Sequence, residues 1–283
     1  MNQHIKAKKK TPIFVVEKDK ITSKLDQIAT EEPLEIRLNY PKKTIAITMR
    51  TPGNDFDLAV GFLYTEGIIN GKDDLIKISY CVDKELEEEQ KFNIVNIELK
   101  DHIPLNLKSL ERHFFTNSSC GVCGKASIDN LKIRGCEILS NNHQQINPEI
   151  IYKLPDKLRE AQGIFTATGG LHASGLFDLQ GNLIKIREDV GRHNALDKLI
   201  GSSLLANELP LNNQIIMVSG RTSFEIVQKC LTAKVPILCA VSAPSSLAIA
   251  LAQEFNLTLI GFLRGHKFNL YSGFERIIQN YKL

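Results

Sequence analysis

Between Leu34 and Leu38, and again between Ile45 and Met49, apolar and polar residues alternate with a period of two. That is the pattern of half-buried strands, and Tyr40-Pro41 supplies a turn between them. From Phe56 to Glu66 the apolar residues fall at helical spacing, with Asn54 or Asp55 as candidate caps and Gly67 as a stop. Phe92 to Leu99 reads as a further strand. Asp83 to Gln90, with five acids and one lysine, reads as a solvated loop or helix face. The basic residues ahead of Pro12 show no period and predict a frayed tail.

The later chain has a different texture. Leu171 to Ile186 predicts a hairpin turning at Gln180-Gly181-Asn182, and Val190 to Leu205 a helix. Three apolar runs follow, Gln214–Val218, Pro236–Val241 and Leu257–Leu263, separated by helical periods over Ser223–Ala233 and Ser245–Phe255. Strands apolar on both faces, alternating with helices, signal parallel βαβ units with right-handed crossovers. The change near residue 110 divides the chain into a smaller first region, 1–110, and an α/β region, 111–283.

Composition narrows the function. The chain has 283 residues, 43% hydrophobic and 24% charged, which is ordinary for a folded globular protein. Its 35 Lys plus Arg against 32 Asp plus Glu give +3, too balanced to argue for nucleic acid. No apolar run approaches the ~18–20 residues of a membrane span, and Pro12–Val16 is too short for a secretory signal. The expected location is the cytoplasm. Six cysteines in a reducing compartment do not make a disulfide framework.

In open α/β sheets, ligands sit beyond the carboxyl ends of the strands. The residues there are Ser219-Gly220-Arg221-Thr222-Ser223, Ser242-Ala243-Pro244-Ser245-Ser246 and Arg264-Gly265-His266-Lys267. The first two open helices, whose free amides and dipole attract anions. The three loops together suit a phosphate-bearing ligand; taken singly, each is also explained by Ser and Thr being good caps. Aromatic Phe262 either stacks on a base or fills core. Two further polar stretches stand near the same strands. Arg187–Asn194 offers Asp189, Arg192, His193 and Asn194 to a ligand, or else capping and surface ion pairs. Thr166–Gly175 carries paired glycines and His172, an acid/base group or a satisfied histidine.

The densest chemical signal is Ser119-Cys120-Gly121-Val122-Cys123-Gly124-Lys125. A zinc site needs two more ligands; there is no second C-x-x-C, and no His is followed two places later by Glu. No zinc is expected. A redox pair of the thioredoxin kind would stand earlier in a βαβ unit. A nucleophilic or sulfur-carrying cysteine needs a thiolate, which Lys125 or a helix over Ala126–Ile133 would favour. Two inert thiols are the plainest alternative. Cys230 and Cys239, set among apolar residues, read as core.

Taken in order, six stretches resemble the FdhD family of sulfur carriers required for formate dehydrogenase activity. They are Arg50–Leu63, Ser119–Lys125, Thr168–Ser174, Glu188–Lys198, Ser219–Ser223 and Gly261–Gly265. The resemblance implies a cytidine-deaminase-like three-layer α/β/α domain without catalytic zinc, and a smaller N-terminal α+β domain. It implies that sulfur arrives as persulfide from a cysteine desulfurase of the IscS type. The sulfur then passes to the bis-molybdopterin guanine dinucleotide form of the molybdenum cofactor, destined for formate dehydrogenase. Cys120 would carry the persulfide with Cys123 as its partner. Phe262, Leu263, Arg264, Gly265, His266 and Lys267 would lie against the guanine dinucleotide. Ser219, Gly220, Arg221, Thr222, His172 and His193 complete the expected cofactor site. Neither nucleic acid nor membrane is an expected partner, and a homodimer is possible. Two other classes stay open, a C-x-x-C thiol oxidoreductase and a nucleotide-binding scaffold without sulfur chemistry.

Overall fold

The computed structural model describes residues 6–101, 103, 136–140 and 145–277. Its first element is a ribbon of two antiparallel strands, β1 (Lys8–Glu17) and β2 (Lys20–Ala29), turning through Lys18-Asp19. The tail expected over the first eleven residues is therefore corrected from Lys8 onward. Pairing with β2, rather than burial, gives these basic residues their order, so no core-facing period marks them.

A four-stranded sheet follows, in the order β4-β3-β6-β5, from β3 (Glu32–Leu38), β4 (Lys43–Arg50), β5 (Leu75–Tyr80) and β6 (Ile94–Leu99). Leu34, Ile36 and Leu38 alternate inward, as their period requires, and pack with Leu58, Ala59 and Leu63 of α1 (Asp55–Thr65). Each such fully buried Leu or Ile contributes about 1.5–3 kcal/mol. Asn54 does precede α1, but with left-handed backbone (φ 57°) and no side-chain cap bond. Asp55 instead pairs with buried Arg50, Oδ1 to Nε at 3.0 Å, and accepts from the Tyr80 hydroxyl at 3.1 Å. Gly67, at φ 71°, ends the helix in the left-handed conformation that glycine adopts without strain. The acidic stretch is exposed and includes a single turn, α2 (Glu88–Lys91).

The second sheet has six strands in the order β12-β11-β10-β9-β7-β8. The hairpin of β7 (His172–Asp178) and β8 (Leu183–Asp189) is antiparallel, closed by Asp178 accepting from the Asn182 amide at 2.8 Å. β9 (Gln214–Val218), β10 (Ile237–Ala240) and β11 (Thr258–Arg264) are parallel neighbours, joined by α7 (Phe224–Thr232) and α8 (Ser246–Glu254). Both sheet faces are covered. α6 (Arg192–Leu205), α7 and α8 bury Leu176, Ile216, Val218, Leu238 and Leu259 on one face. On the other, α3 (Pro148–Tyr152) and α4 (Leu154–Ala161) cover Phe177, Ile215, Met217, Ile237 and Cys239. That is why the parallel strands read as continuously apolar. The described chain is thus mixed α/β, with helices on either side of the larger sheet.

Besides β1, β2 and β5, the helices α3 to α5 and the strand β12 were not expected. α3, α4 and α5 (Gly163–Thr168) are short and broken at Pro148, Pro155 and Gly163, so no helical period builds up. The polar stretch 166–175 accordingly spans the end of α5, a turn and the start of β7 rather than one loop. β12 (Lys267–Ser272) pairs antiparallel with β11, which makes Arg264–Lys267 the end of a hairpin.

The two sheets are joined where α1 crosses α6. A Cβ at Gly61 would stand 1.9 Å from the Asp197 carbonyl oxygen, and one at Gly201 1.9 Å from that of Asp57. Nothing larger than hydrogen fits at either position. Arg187 Nη2 pairs with Asp57 at 2.8 Å beside this crossing, and buried Lys229 pairs with Asp197 at 3.0 Å. The domain boundary expected near residue 110 lies outside the described residues. No helix among the described residues is long and apolar enough to cross a membrane.

Candidate functional site

The carboxyl end of β9 is tied to its neighbours by backbone bonds. The Ser219 amide donates to the Ala173 carbonyl at 3.0 Å, and the Ala173 amide donates to Ser219 Oγ at 2.9 Å. On the other side, the Thr222 amide donates to the Ala243 carbonyl at 3.2 Å, and Ser245 donates back to the Thr222 carbonyl at 2.9 Å. The Phe262 amide reaches the Ser242 carbonyl at 3.2 Å. The ends of β9, β10 and β11 are therefore knitted into one continuous edge. Ser245 also caps α8, its Oγ accepting from the Ala248 amide at 3.2 Å; capping and edge formation are both present.

Gly220 makes room at this edge. A Cβ there would come 3.3 Å from His172 Nδ1 and 3.6 Å from Arg192 Cβ. His172 at the start of β7, Arg192 at the start of α6 and the Ser219–Ser223 loop thus meet. His193 Nε2 lies 3.2 Å from Ser223 Oγ and 3.8 Å from the Glu225 carboxylate. Burial, followed by the Arg192 charge, holds His193 down to about 4. Burial and Arg192 also lower His172. His193 is therefore neutral near pH 7 and offers hydrogen bonds, not charge. Positive charge at the edge belongs to Arg192, to exposed Arg221 and, farther along, to Arg264 and Lys267.

Two polar atoms here lack partners among the described residues. Thr222 Oγ1, on a residue only 1% exposed, and Arg192 Nε are buried without a hydrogen bond. A buried orphan of this kind costs about 1–3 kcal/mol, which a bound ligand can relieve.

The end of β11 is shaped differently. Phe262 stands at φ 52° and is 43% exposed, within a register shift between Gly261 and Arg264. A β-bulge of this sort re-aims a side chain. A non-glycine residue so held stores about 1–3 kcal/mol of strain, and such residues cluster at functional sites. A Cβ on Gly261 would come 3.0 Å from both Pro244 and the Tyr271 ring, so glycine lets the bulge settle against the Ser242 loop. Leu263 is fully buried in the core beneath the sheet, so only its backbone is available to a ligand. Gly265, at φ 52°, makes the turn, and the His266 ring meets Tyr152 of α3 at 5.5 Å.

Of the expected site residues, Ser219, Gly220, Arg221, Thr222, His172 and His193 therefore cluster around β9. Phe262 to Lys267 lie at β11, two strands and about 10 Å away. Cys120 and Cys123 lie outside the described residues, as do Lys125 and the helix expected over Ala126–Ile133.

Of the two readings open for Asp189 and Asn194, ligand contact or capping and ion pairing, the structure shows bonds within the fold. Asp189 is fully buried; its Oδ2 meets Lys198 Nζ at 2.7 Å and accepts from the Thr51 amide at 3.1 Å. Its Oδ1 accepts from the Gly191 amide at 2.8 Å. Asn194 Nδ2 donates to the Met49 carbonyl at 2.8 Å. These side chains fasten β8 and α6 to the first sheet, and their hydrogen-bonding capacity is spent there. Glu188 is similarly engaged, accepting from the Ile164 and Phe165 amides at 3.0 and 2.8 Å. Sequence reasoning missed Glu225. Its signal is an acid in the first turn of α7, directly after the Ser219–Ser223 loop.

Cys230 and Cys239 are fully buried, as their apolar neighbours predict, and burial pushes both thiols up. They are inert core. A separate cleft of about 240 Å³ lies at the far end of α7, lined by Tyr64, Asn70, Cys136, Thr232 and Lys234 among others.

The described chain is of the mixed α/β class, in which a polar, glycine-bearing edge beyond parallel strands is where ligands bind. The particular family is defined by sequence. Residues 29–278 match the model of the FdhD/NarQ family, and the chain belongs to it. It is 48% identical over 258 residues to the sulfur carrier protein FdhD of Streptomyces avermitilis, covering 91% of each chain. It is 45% identical over 271 residues to the sulfur carrier protein FdhD of Sulfurisphaera tokodaii, covering 95% of this chain and 99% of that one. The fold is similar to the crystal structure of a chain from Desulfotalea psychrophila described as a formate dehydrogenase accessory protein. There the TM-score is 0.74 at 24% identity, over 96% of this chain and 100% of that one.

Proposed function

We propose that this protein is a sulfur carrier that loads Cys120 as a persulfide and delivers the sulfur to the guanine dinucleotide form of the molybdenum cofactor. The donor is a cysteine desulfurase of the IscS type, the recipient enzyme is formate dehydrogenase, and the larger domain is cytidine-deaminase-like. Loading is a thiol exchange. The Cys120 thiolate attacks the outer sulfur of the donor persulfide, a new S–S bond forms, and the donor cysteine leaves as thiolate. No net oxidation occurs. On delivery, sulfur leaving as sulfide requires two electrons. The Cys123 thiolate supplies them by closing a disulfide with Cys120, which an external thiol must later reduce. A C-x-x-C spacing is suited to that closure.

The observation that carries the nucleotide half of this reading is the edge itself. Orphaned Thr222 Oγ1 and Arg192 Nε stand at one end, and bulged, exposed Phe262 at the other. An aromatic face about 10 Å from a cationic, amide-rich loop fits a base at one end and phosphates at the other. Neutral His172 and His193 serve as hydrogen-bonding groups beside the cationic loop. Membership of a family whose curated relatives are named sulfur carriers supports the thiol half.

The test is intact mass after incubation with desulfurase and cysteine. A gain of about 32 Da that a reductant removes is expected, and is lost in Cys120→Ala. A loss of about 2 Da alone would make the pair a redox couple, and no change would leave a nucleotide-binding scaffold; either result overturns the carrier reading.

A further inference from the structure

Glu225 is out of place on an edge that holds phosphates. It stands in the first turn of α7, directly after the Ser219–Ser223 loop. A carboxylate there offsets the helix field that would attract an anion. Keeping it costs phosphate affinity unless the ligand brings donors of its own.

The fold gives this carboxylate little other occupation. Other acids around α7 have their lysines: Glu137 meets Lys234 at 2.8 Å and Glu66 meets Lys229 at 3.3 Å. Lys229, one turn along from Glu225, is turned to Asp197 at 3.0 Å. Among the described residues Glu225 has a single ion-pair contact, His193 Nε2 at 3.8 Å, and His193 is neutral near pH 7. Burial raises the Glu225 carboxyl, but hydrogen bonds from Ser223 and from its own amide, with the Arg192 charge, outweigh that and hold it below the usual carboxylate range. Helix capping accounts for those two bonds. A carboxylate has about four acceptor sites, and with the side chain 49% exposed the remainder face outward.

Position decides which donors can meet them. With a base against Phe262 and phosphates on the Ser219–Ser223 loop, about 10 Å apart, the sugar lies between. The sugar of a ribonucleotide presents two adjacent hydroxyls, whereas its ionised phosphates offer acceptors only. An acid on the ribose hydroxyl is how nucleotide-binding α/β folds hold that group. His193 Nε2, 3.2 Å from Ser223 Oγ, is directed at the same spot and adds a neutral hydrogen-bonding group. Glu225 and His193 do not make a metal site, since among the described residues no third His, Cys, Asp or Glu joins them.

We propose that Glu225 accepts both ribose hydroxyls of the bound nucleotide, with His193 beside it, and makes the edge select ribonucleotides over their deoxy forms. Glu225 takes this role only if the edge binds a nucleotide, as proposed above.

Calorimetry of the full chain with GDP and with its dideoxy analogue, which lacks both ribose hydroxyls, tests this. The wild-type chain should bind GDP at least about tenfold more tightly, because the analogue forfeits hydrogen bonds to an ionised acceptor. Glu225→Gln should weaken GDP at least about fivefold yet leave the analogue unchanged or bound more tightly, since a negative charge near the phosphates has gone. A loss confined to the ligand with hydroxyls is not produced by a misfolded variant. Inosine diphosphate, which keeps the ribose but lacks the exocyclic amine of guanine, should lose as much as GDP does. Equal wild-type affinity for GDP and the analogue overturns the inference, as does an equal loss of both in Glu225→Gln. Inosine diphosphate indifferent to Glu225→Gln assigns the carboxylate to the base and overturns it too. No binding of GDP or the analogue at all removes the nucleotide reading together with the inference, whereas binding without discrimination removes the inference alone.

Discussion

Asp189→Asn separates a structural from a ligand-binding role for the motif that opens α6. In the wild-type chain the Asp189 carboxylate meets Lys198 Nζ at 2.7 Å, with both side chains no more than 1% exposed. It also accepts from the Thr51 amide at 3.1 Å, the Gly191 amide at 2.8 Å and Asn194 Nδ2 at 3.2 Å. An asparagine keeps the shape but removes the charge, and turns an NH₂ toward at least one of these donors. Lys198 keeps its bond to the Thr51 carbonyl at 2.8 Å but becomes a buried, uncompensated cation. Breaking one side of a buried pair costs about 3–5 kcal/mol, a large share of the ~5–15 kcal/mol that holds most domains together. At roughly 2–4 °C per kcal/mol for a chain of this order, the melting temperature should fall by about 6–20 °C. Urea unfolding followed by circular dichroism reads the loss. Asp189→Asn/Lys198→Met should recover at least about 2 kcal/mol of it, since an apolar replacement removes the stranded charge. A single variant that loses under about 1 kcal/mol while GDP affinity drops tenfold would refute the reasoning and return Asp189 to the ligand.

Gly201→Ala should cost more than about 3 kcal/mol, because the backbone it would strike belongs to a packed helix and cannot rotate away; thermal unfolding checks it. His193, depressed by burial to about 4 from the ordinary 6.5 of histidine, contributes stability that is present above 6.5 and lost as pH falls through that window, because only the unfolded chain takes up the proton. His193→Gln should flatten the stability profile between those two pH values, measured by urea titration at each pH. Arg264→Ala should weaken GDP at least fivefold by calorimetry while persulfide loading of Cys120 stays at the wild-type level. Unchanged GDP affinity would remove Arg264 from the edge, and lost loading would mean the two tasks share residues. Phe262→Gly should relieve the left-handed backbone yet reduce GDP affinity, and a variant that binds more tightly would remove the stacking role.

The run from β9 to β11 was legible because burial on both faces leaves little room for polar interruptions, and because α7 and α8 are long enough to show their period. The β1–β2 ribbon was not legible: its apolar residues face water, so no core imposed a pattern, and Pro12 and the lysines resemble a tail. Asp189, Lys198 and Asn194 carry residue types common at ligand sites, and their partners Met49 and Thr51 lie about 140 residues earlier in sequence. Only the folded arrangement distinguishes a buried fastening from a pocket. The loops at the carboxyl ends of the strands were readable because their position follows from topology, not from contacts. The bulge that turns Phe262 outward was not, since β11 has the apolar texture of a regular strand.

The meeting of Gly61 and Gly201 also constrains how this sequence can drift. In an ordinary core, a larger side chain at one position is offset by a smaller one opposite, and the pair wanders together. Here the obstacle to each Cβ is the other helix's own carbonyl oxygen, which no substitution can shorten. Neither glycine has a compensating partner anywhere along the chain. The two positions are therefore expected to be fixed independently rather than to covary, so the closest contact between the two sheets would be the one least visible to any search for correlated change.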